Sequence, residues 1–553
     1  MRAWFKTGTP WIWLNAGAIA LCLVMVVGVL SLIAVQGGSH FWPADLQTVQ
    51  AKQADGSNKA LLAELVRTEE VSAVVLRESG AAVASNAEFF QRHLLKLGNR
   101  DVYGRDFAWF LADDLTGWTV EPNATVIERR EWGNFYGFPQ QLLEGEKVVA
   151  EGAALWPELV LRIKRANEIF DQISAIEKGD IGVINNGLEQ LRLEQRRLEL
   201  EGADAATMAQ FQQESAQHKA ELDARYAGLQ QQLEQLYAAA KRDTLLATTA
   251  EGKELRISLG NIVHAHQPNA MTLLDKSLHY VGAIWSFLAD DPREANTEGG
   301  IFPAIFGTIT MVILMSIIVT PFGVLAAIYL REYAKDGPLL RIIRISVYNL
   351  AGVPSIVYGV FGLGFFVYIL GGNIDAMFYP ESLPAPTFGT PGLFWASLTL
   401  ALLTLPVVIV STEEGLSRIP STIRMGSLAL GATKSETLWK VVVPLATPAM
   451  MTGLILSIAR AAGEVAPLML VGVVKLAPTL PVDGNFPFIH LDQKIMHLGF
   501  HVYDVGFQSP NVEASRPLLY ATALVLVLLI VVLNMAAIHL RNKLREKYRS
   551  ESD

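Results

Sequence analysis

Arg460 and Glu464 stand four residues apart and are the only charges between Met450 and Val474. That spacing puts both on one face of a helix. An arginine in such apolar surroundings offers a planar fork of donors suited to a tetrahedral oxyanion, and a neighbouring carboxylate can orient it or help release the ion. The same two residues can instead form a neutralising ion pair that fixes helix packing. In a bilayer each charge costs ~2.5 kcal/mol or more near the centre, so both must face protein or water.

A second constellation lies just upstream, between Ser411 and Pro448. Its pattern predicts a short helix, a break at Gly431, a second amphipathic helix and a proline stop at Pro444. Ser427, Leu428 and Leu430 precede the glycine; Thr437, Leu438 and Val441 follow it. A short helix on a glycine bend is a mechanical lever, and it fits a groove on a soluble partner in the helix-in-groove manner. Gly426 and Gly431 have the separation of a phosphate-binding loop. Lys434 comes two residues too late for one, and no apolar strand leads in. By this criterion the chain has no nucleotide site. Glu413 and Glu414 are expected at a solvated helix end, with Arg418 or a soluble partner as the other possible contacts.

His264 and His266 alternate on a candidate strand. Two histidines without a third nearby are expected to be surface residues, so no metal site is predicted. Cys22 is the single cysteine of the chain, which excludes internal disulfides and cysteine-based clusters. No catalytic residue and no cofactor is predicted.

These residues need elements to hold them. The 553 residues are 51% apolar and 18% charged, which leans towards a membrane protein. Trp11 to Val35 carries no charge and crosses a ~30 Å hydrocarbon core at ~1.5 Å per residue. An uncleaved anchor is expected here rather than a cleavable signal peptide. Five further apolar stretches run at about 302–330, 347–370, 393–411, 449–474 and 518–540, with Pro321 and Pro354 inside the first two. Packed neighbours can satisfy the backbone groups such prolines free.

Loop charges predict the orientation. Arg2 and Lys6 lead the chain; Arg331, Lys335, Arg341 and Arg344 follow the second stretch. Arg418, Arg424, Lys434 and Lys440 follow the fourth, and Arg541, Lys543, Arg545, Lys547 and Arg549 close the chain. The loop after the third stretch has Asp375 and Glu381 and no basic residue. Both termini are therefore expected in the cytoplasm. The acidic segment from Gln36 to Gly300, with 26 Lys+Arg against 39 Asp+Glu, is expected outside. Neither part has the basic concentration of a nucleic-acid binder.

The expected fold class is an all-α polytopic membrane protein with six transmembrane helices. Its organisation is a cytoplasmic N-terminus and first span over 1–35, a periplasmic insertion over 36–298, a transmembrane domain over 299–541 and a cytoplasmic tail over 542–553. Within the insertion, 36–150 reads as globular and mixed α/β, with turns such as Asp55-Gly56. Residues of about 155–242 read as a coiled-coil-like hairpin. Ile181, Ile184, Leu188, Leu191, Gln195 and Leu198 form one heptad arm, and Leu222, Tyr226, Leu229, Leu233, Leu236 and Ala240 the other. A solvated stalk and a partner-binding element are both compatible with it.

The stretch around Gly431 resembles the cytoplasmic signature of the inner-membrane permeases of binding-protein-dependent ABC importers: Glu-Ala-Ala, three residues, Gly, nine residues, Ile-x-Leu-Pro. Gly431, Val441, Val443 and Pro444 fall at the matching spacing, whereas Met425-Gly426-Ser427 replaces the Glu-Ala-Ala triplet. Within that family the chain resembles the phosphate-specific permeases of the A type. The runs GGIFPAIFGT (299–308), AAIYLREYAKDGPL (326–339), AGVPSIVYGVFG (351–362), ALGATKSETL (429–438) and SIARAAGEVAPL (457–468) carry the likeness. It covers the first span and nearly everything after Gly299, and leaves out the insertion.

The resemblance implies the type I ABC importer permease class in a bacterial inner membrane. It implies phosphate as substrate and lipids around the spans. Its partners would be a dimer of ATPase subunits, a second permease subunit and a periplasmic phosphate-binding protein. It places Arg460 and Glu464 in the substrate pathway. Leu428, Gly431, Lys434, Val441 and Pro444 would lie in the ATPase-coupling loop of 412–444, with apolar and backbone contacts replacing the missing glutamate. The chain itself would not be an enzyme. A permease for sulfate or molybdate, and a membrane sensor or scaffold, are the alternatives; loops and tail are too short for a signalling domain on the cytoplasmic side.

Overall fold

The computed structural model describes residues 7–52, 57–78, 87–296, 298–509 and 512–550. Arg2, Lys6, the Asp55-Gly56 turn and the side chains of Arg545, Lys547 and Arg549 lie outside the described residues. The chain divides into two compact units, one of 1–40 with 301–553 and one of 41–300.

The 41–300 unit corrects the all-α expectation, because among its described residues are two large antiparallel sheets and a short two-stranded pair, Pro292–Arg293 with Glu298–Gly299. The first has the order β4-β3-β2-β1-β5, from β1 (Gln47–Lys52), β2 (Asn58–Ser72), β3 (Phe89–Lys96), β4 (Phe107–Leu111) and β5 (Leu115–Val120). The second runs β10-β9-β7-β6-β11, with β8 paired to β7. Its strands are β6 (Thr125–Arg129), β7 (Phe135–Glu144), β8 (Lys147–Glu151), β9 (Asp243–Thr248), β10 (Glu254–Ser258) and β11 (Ile262–His266). Period-two alternation is hard to read in these strands for a physical reason. Pairing shifts register between Leu65 and Arg67 and between Leu142 and Leu143, and each bulge reverses which face the following residues point to.

A helix over Leu155–Ala175 lies on the second sheet. Leu155, Leu159, Ile163 and Ala166 recur at helical spacing and pack with Phe135, Leu142, Leu245 and Ile257. Arg162 pins the base of this helix, donating to Glu158, Glu144 and Asp243 at 2.8, 2.9 and 2.7 Å. The helix continues through a π-turn at Ile176–Asp180 into Ile181–Glu201. Gly202, at φ 69°, turns the chain, and Asp204 caps the returning helix Ala205–Lys241 by accepting from the Thr207 amide at 3.1 Å. The two arms run antiparallel, tied by Arg225 to Asp180 at 3.0 Å. Ile184 is buried, but Tyr226 of the second heptad series faces solvent: two arms alone share only one seam.

Among the described residues of the other unit six helices are long and apolar enough to cross a membrane: Pro10–Ser39, Phe302–Tyr333, Ser355–Phe378, Leu393–Ser417, Lys434–Ala462 and Ser515–Lys543. The second, fourth and fifth form the centre, around Met311, Met315, Leu400, Val408 and Ala461. Small residues let their backbones approach: a Cβ on Gly323 would stand 2.6 Å from Val408 Cγ1.

Two spans differ from the sequence reading. The third begins at Ser355 rather than near Val347. Pro338–Leu350 is a separate amphipathic helix, and Pro354 stands outside the span at its N-cap. Proline disfavours helix in the residue before it, so the chain breaks at 351–354. The fifth begins earlier and ends earlier, at Ala462 with Gly463 as its cap. Pro444 is no stop: a π-turn over Leu438–Val442 carries the helix past it. The wider turn relieves the clash and missing donor that a proline imposes on regular α geometry.

Candidate functional site

The segment between the fourth and fifth spans folds as two helical pieces on a left-handed glycine. Ser421–Ala429 is helical; Gly431 sits at φ 91°, where an L side chain is strained. The Gly431 amide donates to Leu428 O at 3.0 Å and the Ala432 amide to Ser427 O at 3.2 Å, which closes the helix end. Thr433 then starts the next helix with a capping box. Its hydroxyl accepts from the Glu436 amide at 3.2 Å, and the Glu436 carboxylate accepts from the Thr433 amide at 3.0 Å. Ser427 and Thr437 join the pieces through their hydroxyls at 2.9 Å.

This bend is bolted to the end of the second span. Arg424 donates to Glu332 Oε1, Leu416 O and Ile419 O at 2.8, 2.8 and 2.7 Å. Lys434 donates to the Glu332 carbonyl and lies 4.6 Å from the Tyr333 ring centre. Arg344 meets Glu413 at 2.8 Å, so Glu413 is paired within the chain instead of being solvated. Glu414 and Arg418 are exposed, 3.8 Å apart.

Of the coupling residues read from the sequence, Leu428 is exposed and Gly431 makes the bend; Val441 and Pro444 are half-buried in the helix that continues below. Lys434 is engaged inside the chain. Leu430, placed by the sequence pattern just before the glycine but not named among the coupling residues, is at 91% exposure the most open large apolar residue of the segment, near exposed Met425 and Leu428. Its place before the left-handed glycine turns it away from both helical faces.

Arg460 Nε and Glu464 Oε1 are 3.3 Å apart. They are not on one helix, however. Arg460 is in the last turn of the fifth span, and Glu464 lies in the turn beyond Gly463, its amide donating to Ala461 O at 3.2 Å. Both side chains remain partly open, at 33% and 18% exposure.

A group the sequence reading missed lies in the segment that follows. That segment folds back on the starts of the second and fourth spans: the Leu498 amide donates to Thr308 Oγ1 at 2.9 Å, and the Leu393 amide to Gln493 O at 2.8 Å. His497, His501 and Asp504 are buried there, and Lys475 Nζ reaches Asp504 Oδ2 at 3.1 Å. Both ring nitrogens of His501, Nε2 of His497 and Oδ1 of Asp504 have no hydrogen-bond partner among the described residues. Burial pushes His497 down to about 3 and His501 to about 4. The spacing 497, 501, 504 is helical and was the available signal. Elsewhere His264 is exposed as expected, whereas half-buried His266 packs on His279 with ring centres 4.3 Å apart, and no group fit to hold a metal occurs among the described residues.

Residues 319–546 match the family model described as "Binding-protein-dependent transport system inner membrane component". Over that stretch the chain is similar to such components. Over 194 residues the chain is 38% identical to the phosphate transport system permease protein PstA of Mycobacterium leprae, covering 35% of this chain and 58% of that protein. It is 37% identical to PstA 1 of Mycobacterium tuberculosis H37Rv, covering 32% and 51%. It is 29% identical to the probable PstA of Methanocaldococcus jannaschii, covering 42% and 73%. The chain is thus similar to PstA permeases over part of its length, and it spans between half and three-fifths of the length of the first of these relatives.

Proposed function

We propose that this chain is the permease subunit of an ATP-driven importer of inorganic phosphate. The observation that carries the reading is the bend at 421–437. Its apolar residues Met425, Leu428 and Leu430 point outward while Arg424 and Lys434 bolt it to the second span. Such a lever turns movement of a docked ATPase into movement of the bundle. The names of its relatives supply the substrate.

In this reading ATP is hydrolysed on a dimeric partner. A second permease subunit completes the pathway, and an external phosphate-binding protein delivers the ion. The 36–298 segment is external, both termini are cytoplasmic, and the membrane is a bacterial inner membrane. Leu428, Leu430 and Gly431 face the ATPase; Val441 and Pro444 pass the movement into the fifth span. Arg460 offers its open face to phosphate as the spans rock between outward and inward access, and Glu464 orients it or assists release.

The test is uptake of radiolabelled phosphate into proteoliposomes holding the assembled complex, with sulfate and molybdate as competitors. ATP-dependent uptake that excess sulfate or molybdate leaves unchanged supports the reading. Absence of ATP-dependent phosphate uptake, where the same proteoliposomes take up labelled sulfate or molybdate on ATP addition, rejects phosphate as the substrate.

A further inference from the structure

The helix Leu273–Ala289 carries a stripe of large apolar side chains turned outward. Leu274, Leu278, Val281 and Trp285 recur at spacings of four, three and four, and stand 65 to 70% exposed. A soluble domain has no reason to present such a stripe to water.

Its other face is occupied. Phe41 packs on Phe287 and Tyr280 with ring centres 5.0 and 6.4 Å away, and Trp42 on Tyr280 at 5.9 Å. Lys276 pairs with Asp45. These contacts hold the helix against the chain that leaves the first span, because Phe41 is two residues beyond Ser39, where that span ends. Two residues of chain reach no more than about 7 Å.

We infer that Leu273–Ala289 is an interfacial helix, lying in the plane of the membrane with its apolar stripe in the lipid leaflet where the first span emerges. Its 17 residues measure about 25 Å, and Asp275 and Lys276 near its start prevent a crossing. Phe41, Trp42, Tyr280 and Trp285 are the aromatic types that settle at headgroup depth. Lipid is the occupant, since the aromatic contacts hold the helix against the chain that leaves the span whatever else the protein binds. The inference requires only that the first span crosses a membrane, not that phosphate is the substrate.

Cys22 is the single cysteine, so a Cys22→Ala background accepts one label at a time. Full-length protein carrying Leu278→Cys or Val281→Cys, labelled with bimane, goes into nanodiscs of phosphatidylethanolamine and phosphatidylglycerol. Gln217→Cys, exposed on the long hairpin arm, is the control. Doxyl-labelled acyl chains should quench most of the emission at 278 and 281, and aqueous iodide should quench only at 217. Iodide quenching at 278 equal to that at 217 overturns the inference. So does shielding from both quenchers, which would mean that protein covers the stripe. Monodisperse elution of each variant confirms that it is folded.

Discussion

Arg424 Nη2 lies 2.8 Å from Glu332 Oε1, which joins the bend between the fourth and fifth spans to the cytoplasm-expected end of the second. The same guanidinium satisfies two carbonyls at the end of the fourth span. One side chain therefore ties three elements together, and it must transmit any force applied at the bend.

Arg424→Ala removes all three bonds and leaves the largely buried Glu332 carboxylate without its partner. A stability loss of about 1–3 kcal/mol is expected, together with loss of substrate-stimulated ATP hydrolysis in the assembled complex. A double-mutant cycle with Glu332→Ala should return a coupling energy above zero. Strict additivity of the two changes would reject the role of the pair.

Leu430→Asp should leave the melting temperature unchanged, because the side chain makes almost no contact in the chain, and should abolish co-purification of the ATPase. If docking rests, as proposed, on apolar and backbone contacts around Leu428–Gly431, Met425→Glu should leave ATPase binding intact. Gly431→Pro should stop transport: proline fixes φ near −65°, whereas the bend needs 91° and uses the amide. Strong ATPase retention by Leu430→Asp, or normal transport by Gly431→Pro, would contradict the docking assignment.

Arg460→Ala should insert and fold normally yet carry little phosphate. Uptake in proteoliposomes measures this directly, and near-normal uptake would exclude a pathway role. Glu464→Gln separates the two functions of its carboxylate: an orienting role survives the change in part, and a role in release does not.

His497 and His501 carry depressed values of about 3 and about 4 in the fold, against an ordinary ~6.5 in the unfolded chain. As pH falls below about 6.5 the unfolded chain takes up protons that the folded chain refuses. Their contribution to stability is thus full above that pH and is lost progressively towards pH 4. Thermal melts at pH 7.5 and 5.5 should show a drop at the lower pH, smaller in a His497→Gln, His501→Gln double variant. An equal drop in that variant would assign the pH response to other groups.

Residue order alone determined what depends on local chemistry. Apolar runs set six membrane-length helices, and the spacing from Gly431 to Pro444 marked the bend. The likeness to phosphate permeases was legible in runs such as AGVPSIVYGVFG (351–362). Tertiary structure decided what depends on partners far along the chain. Lys434, read as a docking residue, is held by the carbonyl of Glu332, 102 positions away. Glu413 was expected in solvent until Arg344 came within reach. The second sheet of the 41–300 unit is complete only when β9 to β11 return after the long hairpin to flank β6 and β7, and such pairing leaves no local trace where bulges break the alternation. The spacing of His497, His501 and Asp504 was legible, but only folding buried them and brought Lys475 to Asp504. Burial is a property of the whole packed unit, and no window of sequence contains it.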